Sequence, residues 1–155
     1  MLVKDIYTVV EKDFEQVNQL IIDQLKSDVP MVEKIGQHII ESGGKRMRPL
    51  LVLLASKALA PQTVTPENTA DNSKHPLLAG IIEFLHTATL LHDDVVDTSD
   101  MRRGKATANA KFGNAPSVLV GDFLYSRAIQ MMVSLGSSRS WIFYRTPPAL
   151  SPKAK

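Results

Sequence analysis

In one short stretch, Leu90 to Gly113, the chain places Asp93, Asp94, Asp97 and Asp100 immediately ahead of Arg102, Arg103 and Lys105. Carboxylates this close repel one another, and neighbouring guanidinium groups could simply neutralise them. One chemistry uses both signs at once: oxygen-seeking divalent cations on the carboxylates, and a strongly anionic group gripped between cations and arginines. On a helix Asp93 and Asp97 form an i,i+4 pair, which without a cation costs a few tenths of a kcal/mol, roughly 0.2–0.5. His86 joins their stripe, because at about 100° per residue the three fall within about 40° of one another. Mg²⁺ suits such a pair, since it takes one or two carboxylates and completes its shell with water and phosphate.

A second basic group stands earlier in the chain. The string GGKRMRP puts Lys45, Arg46 and Arg48 directly after Gly43 and Gly44. Glycines let a backbone approach phosphate closely, and a following helix offers free N–H donors at its start. Arg48 can make a forked bond to phosphate while Lys45 acts as a point charge. Arg102 and Arg103 follow the aspartates closely enough to reach the same anion.

The elements that carry these residues read as helical, and the expected class is all-α. Ile6, Val9, Val10, Val17, Leu20, Ile21 and Leu25 recur at spacings of three and four, one face of an amphipathic helix. A second helix is expected from Pro30, closing at Ser42-Gly43-Gly44, and a third opens at Pro49 and ends at Pro61. Residues 61–76 read as a polar surface loop. A fourth helix is expected from about Pro76 to Asp97, then a charged, glycine-containing connection over 98–115. A fifth helix starts near Pro116 and carries Val118, Leu119, Phe123, Leu124, Ala128, Met131, Met132 and Leu135. No stretch alternates with period two, and no internal repeat is visible.

Composition narrows the function. The 155 residues are 44% hydrophobic and 22% charged, with a net charge of +2 and no cysteine. Disulfides and thiolate metal sites are excluded, which suits a reducing cytoplasm. The start of the chain has no basic segment leading into an apolar run, so no signal peptide is expected, and no run is long enough to span a bilayer. Nucleic-acid binding is disfavoured, because the aspartates beside the arginines repel a phosphate backbone.

With the motifs in order, the sequence resembles the N-terminal half of a trans-type polyprenyl diphosphate synthase, of the medium- and long-chain branch. The matching strings are GGKRMRPLL, EFLHTATLLHDDVVDTSDMRRGKATANAKFG and SVLVGDFLYSRA, in the family's order. The resemblance covers roughly residues 1–135 and implies an antiparallel helical bundle of the isoprenoid synthase type. It implies a prenyltransferase that condenses isopentenyl diphosphate with an allylic diphosphate. The product would be a long all-trans polyprenyl diphosphate, a quinone side-chain precursor.

By position, Asp93, Asp94 and Asp97 match the family's first aspartate-rich motif, with Asp93 and Asp97 as Mg²⁺ ligands. Arg102 is implied to grip the allylic diphosphate, and Lys45, Arg48, His86 and Arg103 to hold isopentenyl diphosphate. Ala88 and Thr89 stand where side-chain bulk limits product length, and both are small. The resemblance also implies a homodimer in full-length relatives, and a cytoplasmic location is expected from the lack of cysteine and of a signal segment.

The chain departs from this pattern in two ways. No second DDxxD follows Asp97, and Asp122 is the last acidic residue. From about residue 136 the helical stripe stops, and Pro147, Pro148 and Pro152 forbid a continued helix. The expectation is a truncated bundle, domain 1–135, with an irregular tail over 136–155 arising from a frameshift. Such a half-built core leaves apolar faces bare and predicts marginal stability or aggregation. Two other readings follow: an inactive fragment or non-catalytic subunit of the same family, or an unrelated metal phosphohydrolase using His92 and Asp93 with His38 and Asp122.

Overall fold

The computed structural model describes residues 3–59 and 74–136. Among the described residues there are seven helices and one two-stranded hairpin. The helices are α1 (Val3–Thr8), α2 (Glu11–Gln24), α3 (Pro30–Ser42), α4 (Met47–Leu59), α5 (Lys74–Val96), α6 (Ala108–Phe112) and α7 (Asn114–Ser134). Between α5 and α6 the strands β1 (Met101–Arg102) and β2 (Lys105–Ala106) pair antiparallel, Met101 opposite Ala106.

The all-α class is borne out. Within it, several boundaries move for local reasons. The single first helix is two, α1 and α2, separated by a turn at Val9–Val10 in which Val10 N–H bonds back to Tyr7 O at 3.1 Å. The apolar spacing survives the break, which is why it was invisible in the pattern: Val10, Val17, Ile21 and Leu25 are all buried. α4 begins at Met47 rather than Pro49. Pro49 sits in the first turn, where its missing N–H has no intrahelical acceptor to lose. The connection after α5 holds a hairpin and the short helix α6, which Thr107 caps by accepting a hydrogen bond from Ala110 N–H. These pieces are too short to register as periodicity. The helix expected from about Pro76 begins at Lys74, so Lys74 and His75, read as loop, belong to α5; the rest of the expected 61–76 loop and the tail over 137–155 lie outside the described residues.

The centre of the fold is α5 against α7. α5 has 23 residues, about 35 Å at 1.5 Å per residue. The pair runs antiparallel. A Cβ on Gly80, near the start of α5, would lie 3.5 Å from Met131 Cε near the end of α7, whereas His92, near the end of α5, rests on Gly121 near the start of α7. That last contact requires glycine, since a Cβ at Gly121 would stand 2.4 Å from His92 Nε2. Ala79, Ile81, Phe84, Ala88 and Leu91 of α5 and Val120, Leu124, Ala128 and Met131 of α7 form the core, with α2, α3 and α4 packed around it. Elsewhere Leu59, Val96, Leu119 and Val133 remain largely exposed.

Candidate functional site

Three backbone segments converge on one cavity. The first is the turn from α3 to α4. Gly43 leaves α3 with φ +67°, and Arg46 also takes a left-handed φ of +42°, which an L-residue adopts only when held there. The holding bonds are visible: Tyr7 Oη donates to Lys45 O at 3.2 Å, and Arg46 Nη1 donates to Asn18 Oδ1 at 2.7 Å. Lys45 and Arg48, on either side of Arg46, both line one cavity.

The second segment is the β1–β2 hairpin, which docks onto that turn. Arg103 Nη1 donates to Gly43 O at 3.2 Å, and Lys105 Nζ donates to Glu41 O. A Cβ on Gly44 would lie 2.8 Å from Arg103 Nη1, so the glycine is what lets the guanidinium lie against the main chain. The two basic strings, almost sixty residues apart in the sequence, are therefore joined by contacts of their own.

The third is the face of α5 carrying Glu83, Phe84, His86, Thr87, Leu90, Leu91 and Asp94. Together the three enclose a cavity of about 200 Å³. Lys45, Arg46, Arg48, Arg102 and Arg103 line it on the polar side, while Phe84, Leu91 and Leu124 supply an apolar floor.

The aspartates divide into two kinds. Asp94 is buried and paired with Arg102, whose Nη2 donates to Oδ1 at 2.7 Å and whose Nε donates to Oδ1 at 3.0 Å. This pairing raises the Arg102 pKa, and Arg102 Nη1 takes no part in it. Asp93 and Asp97 are exposed, and neither forms an ion pair among the described residues. Asp97 N–H bonds to Asp93 O at 2.8 Å, so the helical turn that sets the two one above the other is intact.

Among the described residues, no group of three or more His, Cys, Asp or Glu side chains gathers to hold a metal. Two unpaired carboxylates one turn apart still fit a small hard cation that fills its shell with water and phosphate, though not an all-protein cage. The structure does not assemble the phosphohydrolase set. His38 Nε2 stands 3.0 Å from Ala106 O with its ring edge-on to Phe112, whereas His92 Nε2 lies 3.3 Å from Asp122 Oδ1 and from Val118 O.

His86 lines the cavity with a lowered pKa: burial disfavours its charged form, and Arg48, Arg103 and Arg102 add to this against an opposing pull from Asp93. Ala88 is buried in the helix packing, and the exposed Thr89 turns its hydroxyl back to His86 O at 2.7 Å. Neither borders this cavity.

Two participants escaped the sequence reading. Glu83 lines the cavity, its pKa raised by burial against the opposing influence of Arg46, Arg48 and Arg103. Arg46, seen only as one more charge in its string, faces that same carboxylate. The available signal was the i,i+3 spacing of Glu83 and His86, which places both on one helix face.

The helical bundle has the isoprenoid synthase fold, and the chain belongs to the polyprenyl synthetase family, whose model matches residues 29–146. It is 53% identical over 137 residues to octaprenyl diphosphate synthase of Escherichia coli (strain K12), covering 88% of this chain and 40% of that relative. It is 47% identical over 133 residues to the all-trans-nonaprenyl-diphosphate synthase (geranyl-diphosphate specific) of Rhodobacter capsulatus, covering 85% and 38%.

Among solved structures, a polyprenyl synthase from Caulobacter crescentus CB15, complexed with calcium and isoprenyl diphosphate, superposes with a TM-score of 0.81 at 40% identity. That match covers 93% of this chain and 41% of the other. The chain thus spans about 40% of the length of the relatives it matches.

Proposed function

We propose that these residues form the metal- and diphosphate-binding part of a prenyltransferase that adds isopentenyl diphosphate to an allylic diphosphate, building a long all-trans polyprenyl diphosphate for quinone side chains. The observation that carries this reading is the convergence of GGKRMRP and MRRGK on one cavity beside unpaired Asp93 and Asp97. Relatives named for octaprenyl and nonaprenyl products support the long product.

In this reading Asp93 and Asp97 hold Mg²⁺, and the calcium in the Caulobacter complex supports a divalent ion of this kind. The bound ion would neutralise charge on a departing diphosphate. Asp94 acts differently from its neighbours: it orients Arg102, leaving that guanidinium aimed at the allylic diphosphate. Lys45, Arg48, His86 and Arg103 receive isopentenyl diphosphate, and a proton on His86 strengthens its donation once an anion is present. Such preorganised donors act where charge develops as the allylic C–O bond breaks and the diphosphate leaves with the electron pair. The alkene of isopentenyl diphosphate then bonds to the allylic carbon, and a proton is lost.

The small side chains of Ala88 and Thr89 are part of the reading of a long product, although neither borders the cavity described above. A cytoplasmic homodimer is part of the proposal. Among the described residues, no helix is long and apolar enough to cross a membrane.

The test is Mg²⁺-dependent incorporation of labelled isopentenyl diphosphate onto an allylic primer, with Asp93→Ala as control. Lengthening products that vanish in the variant are expected. A folded chain that binds diphosphate but incorporates nothing would leave these 155 residues a binding role alone.

A further inference from the structure

A cavity built to attract a diphosphate contains a carboxylate that should repel it. Glu83 is half-buried, shares the cavity wall with Lys45, Arg46, Arg48, Arg102 and Arg103, and makes no direct ion pair among the described residues. The other titratable groups on that wall are His38 from α3 and His86 and Asp94 from α5. Asp94 is bound by Arg102, and His38 lies against Ala106 O. Glu83 is thus the one carboxylate on this wall that stands opposite several guanidiniums without being claimed by any. Burial raises its pKa in spite of Arg46, Arg48 and Arg103, so desolvation outweighs the pull of three nearby cations.

Resting on the diphosphate reading above, we propose that Glu83 is a positioning residue that serves as the cavity's resident counter-charge, drawing Arg46, Arg48 and Arg103 toward one point when no anion is bound and opposing the anion once it enters. Its structural purpose is indirect. Arg46 is held by Asn18 and Arg103 by Gly43 O, and a carboxylate on the same cavity wall that feels both of them and Arg48 biases where the three charges point. Its functional purpose is release. A cavity that must be refilled at every addition gains when bound diphosphate leaves quickly, and one repelling charge at short range shortens residence without removing a single donor.

The experiment titrates inorganic diphosphate into the full 155-residue chain by calorimetry, comparing the unaltered protein with Glu83→Gln, Glu83→Asp and Arg48→Ala. At about pH 8, Glu83→Gln is expected to bind roughly tenfold tighter, the change that one pKa unit of anion–carboxylate coupling represents. The advantage should shrink as the pH is lowered, because a bound anion favours the protonated form of the unaltered Glu83. His86 and the diphosphate titrate in both proteins, so their contributions cancel in the ratio. Glu83→Asp keeps the charge and should restore the weaker binding.

A thermal melt accompanies each titration. A merely structural Glu83 would lower the melting temperature of Glu83→Gln and leave the pH trend of the ratio flat. Equal or weaker binding by Glu83→Gln at about pH 8, or a ratio that ignores pH, overturns the proposal. Should Glu83→Gln fail to fold, Glu83→Ala gives the same readout. If the unaltered chain binds no diphosphate, or Arg48→Ala binds it equally well, the diphosphate reading falls and takes this inference with it. That outcome is distinct from intact binding that is indifferent to Glu83.

Discussion

Arg102 holds Asp94 through two nitrogens, Nη2 at 2.7 Å and Nε at 3.0 Å from the same carboxylate oxygen. The pair closes the turn between the end of α5 and the hairpin, and it removes Asp94 from the set of free carboxylates. Three aspartates that look equivalent in DDVVD therefore have two different occupations. Replacing Asp94 by Asn should cost about 1–3 kcal/mol of stability, because a buried acceptor and its guanidinium lose their charge-assisted bonds. Chemical denaturation measures this directly.

Asp93→Asn and Asp97→Asn should behave in the opposite way. Each removes one member of an exposed like-charged pair, so stability should hold or rise by a few tenths of a kcal/mol, about 0.2–0.5. The Mg²⁺-dependent part of diphosphate binding should disappear in both. A loss of stability equal to that of Asp94→Asn would show that the three share one structural role.

His86 offers a pH test with a defined sign. Its folded pKa is lowered, so the unfolded chain binds more protons between that value and 6.5. Its contribution to stability is therefore present above 6.5 and is lost as pH falls through the folded value. His86→Asn should flatten that decline. Added diphosphate places negative charge opposite the ring and should move its proton NMR titration upward; an unmoved titration would place the anion elsewhere.

Gly44→Ala should separate assembly from folding. The new methyl meets Arg103 Nη1, the end of a flexible side chain, so the chain should fold while Arg103 shifts and diphosphate affinity falls about tenfold, one charge-assisted bond's worth. Gly121→Ala meets the His92 ring inside the α5–α7 contact and should instead cost about 1–3 kcal/mol of stability. Binding assays and thermal melts on the two variants should show opposite patterns.

The helices were legible because burial repeats with the helical period: Val17, Ile21 and Leu25, or Ala88 and Leu91, face inward wherever the backbone goes. The break at Val9–Val10 and the hairpin at 101–106 were not, since a turn that preserves spacing and two-residue strands leave no periodic trace. The placement of the candidate site's charged residues was legible for a related reason. DDVVD sets Asp93 and Asp97 one turn apart on any helix, and GGKRMRP assembles its cations on one short turn.

What local spacing could not supply is the meeting of elements distant in sequence. The docking of Arg103 on Gly43 and Gly44, the capture of Asp94 by Arg102, and the exposure of Glu83 to Arg46, Arg48 and Arg103 all depend on how α3, α5 and the hairpin pack. Local sequence selects which side chains share a helix face, because that depends on dihedral angles alone. Which charges become partners depends on distance and on how much water lies between them, and both are set when separate elements come together.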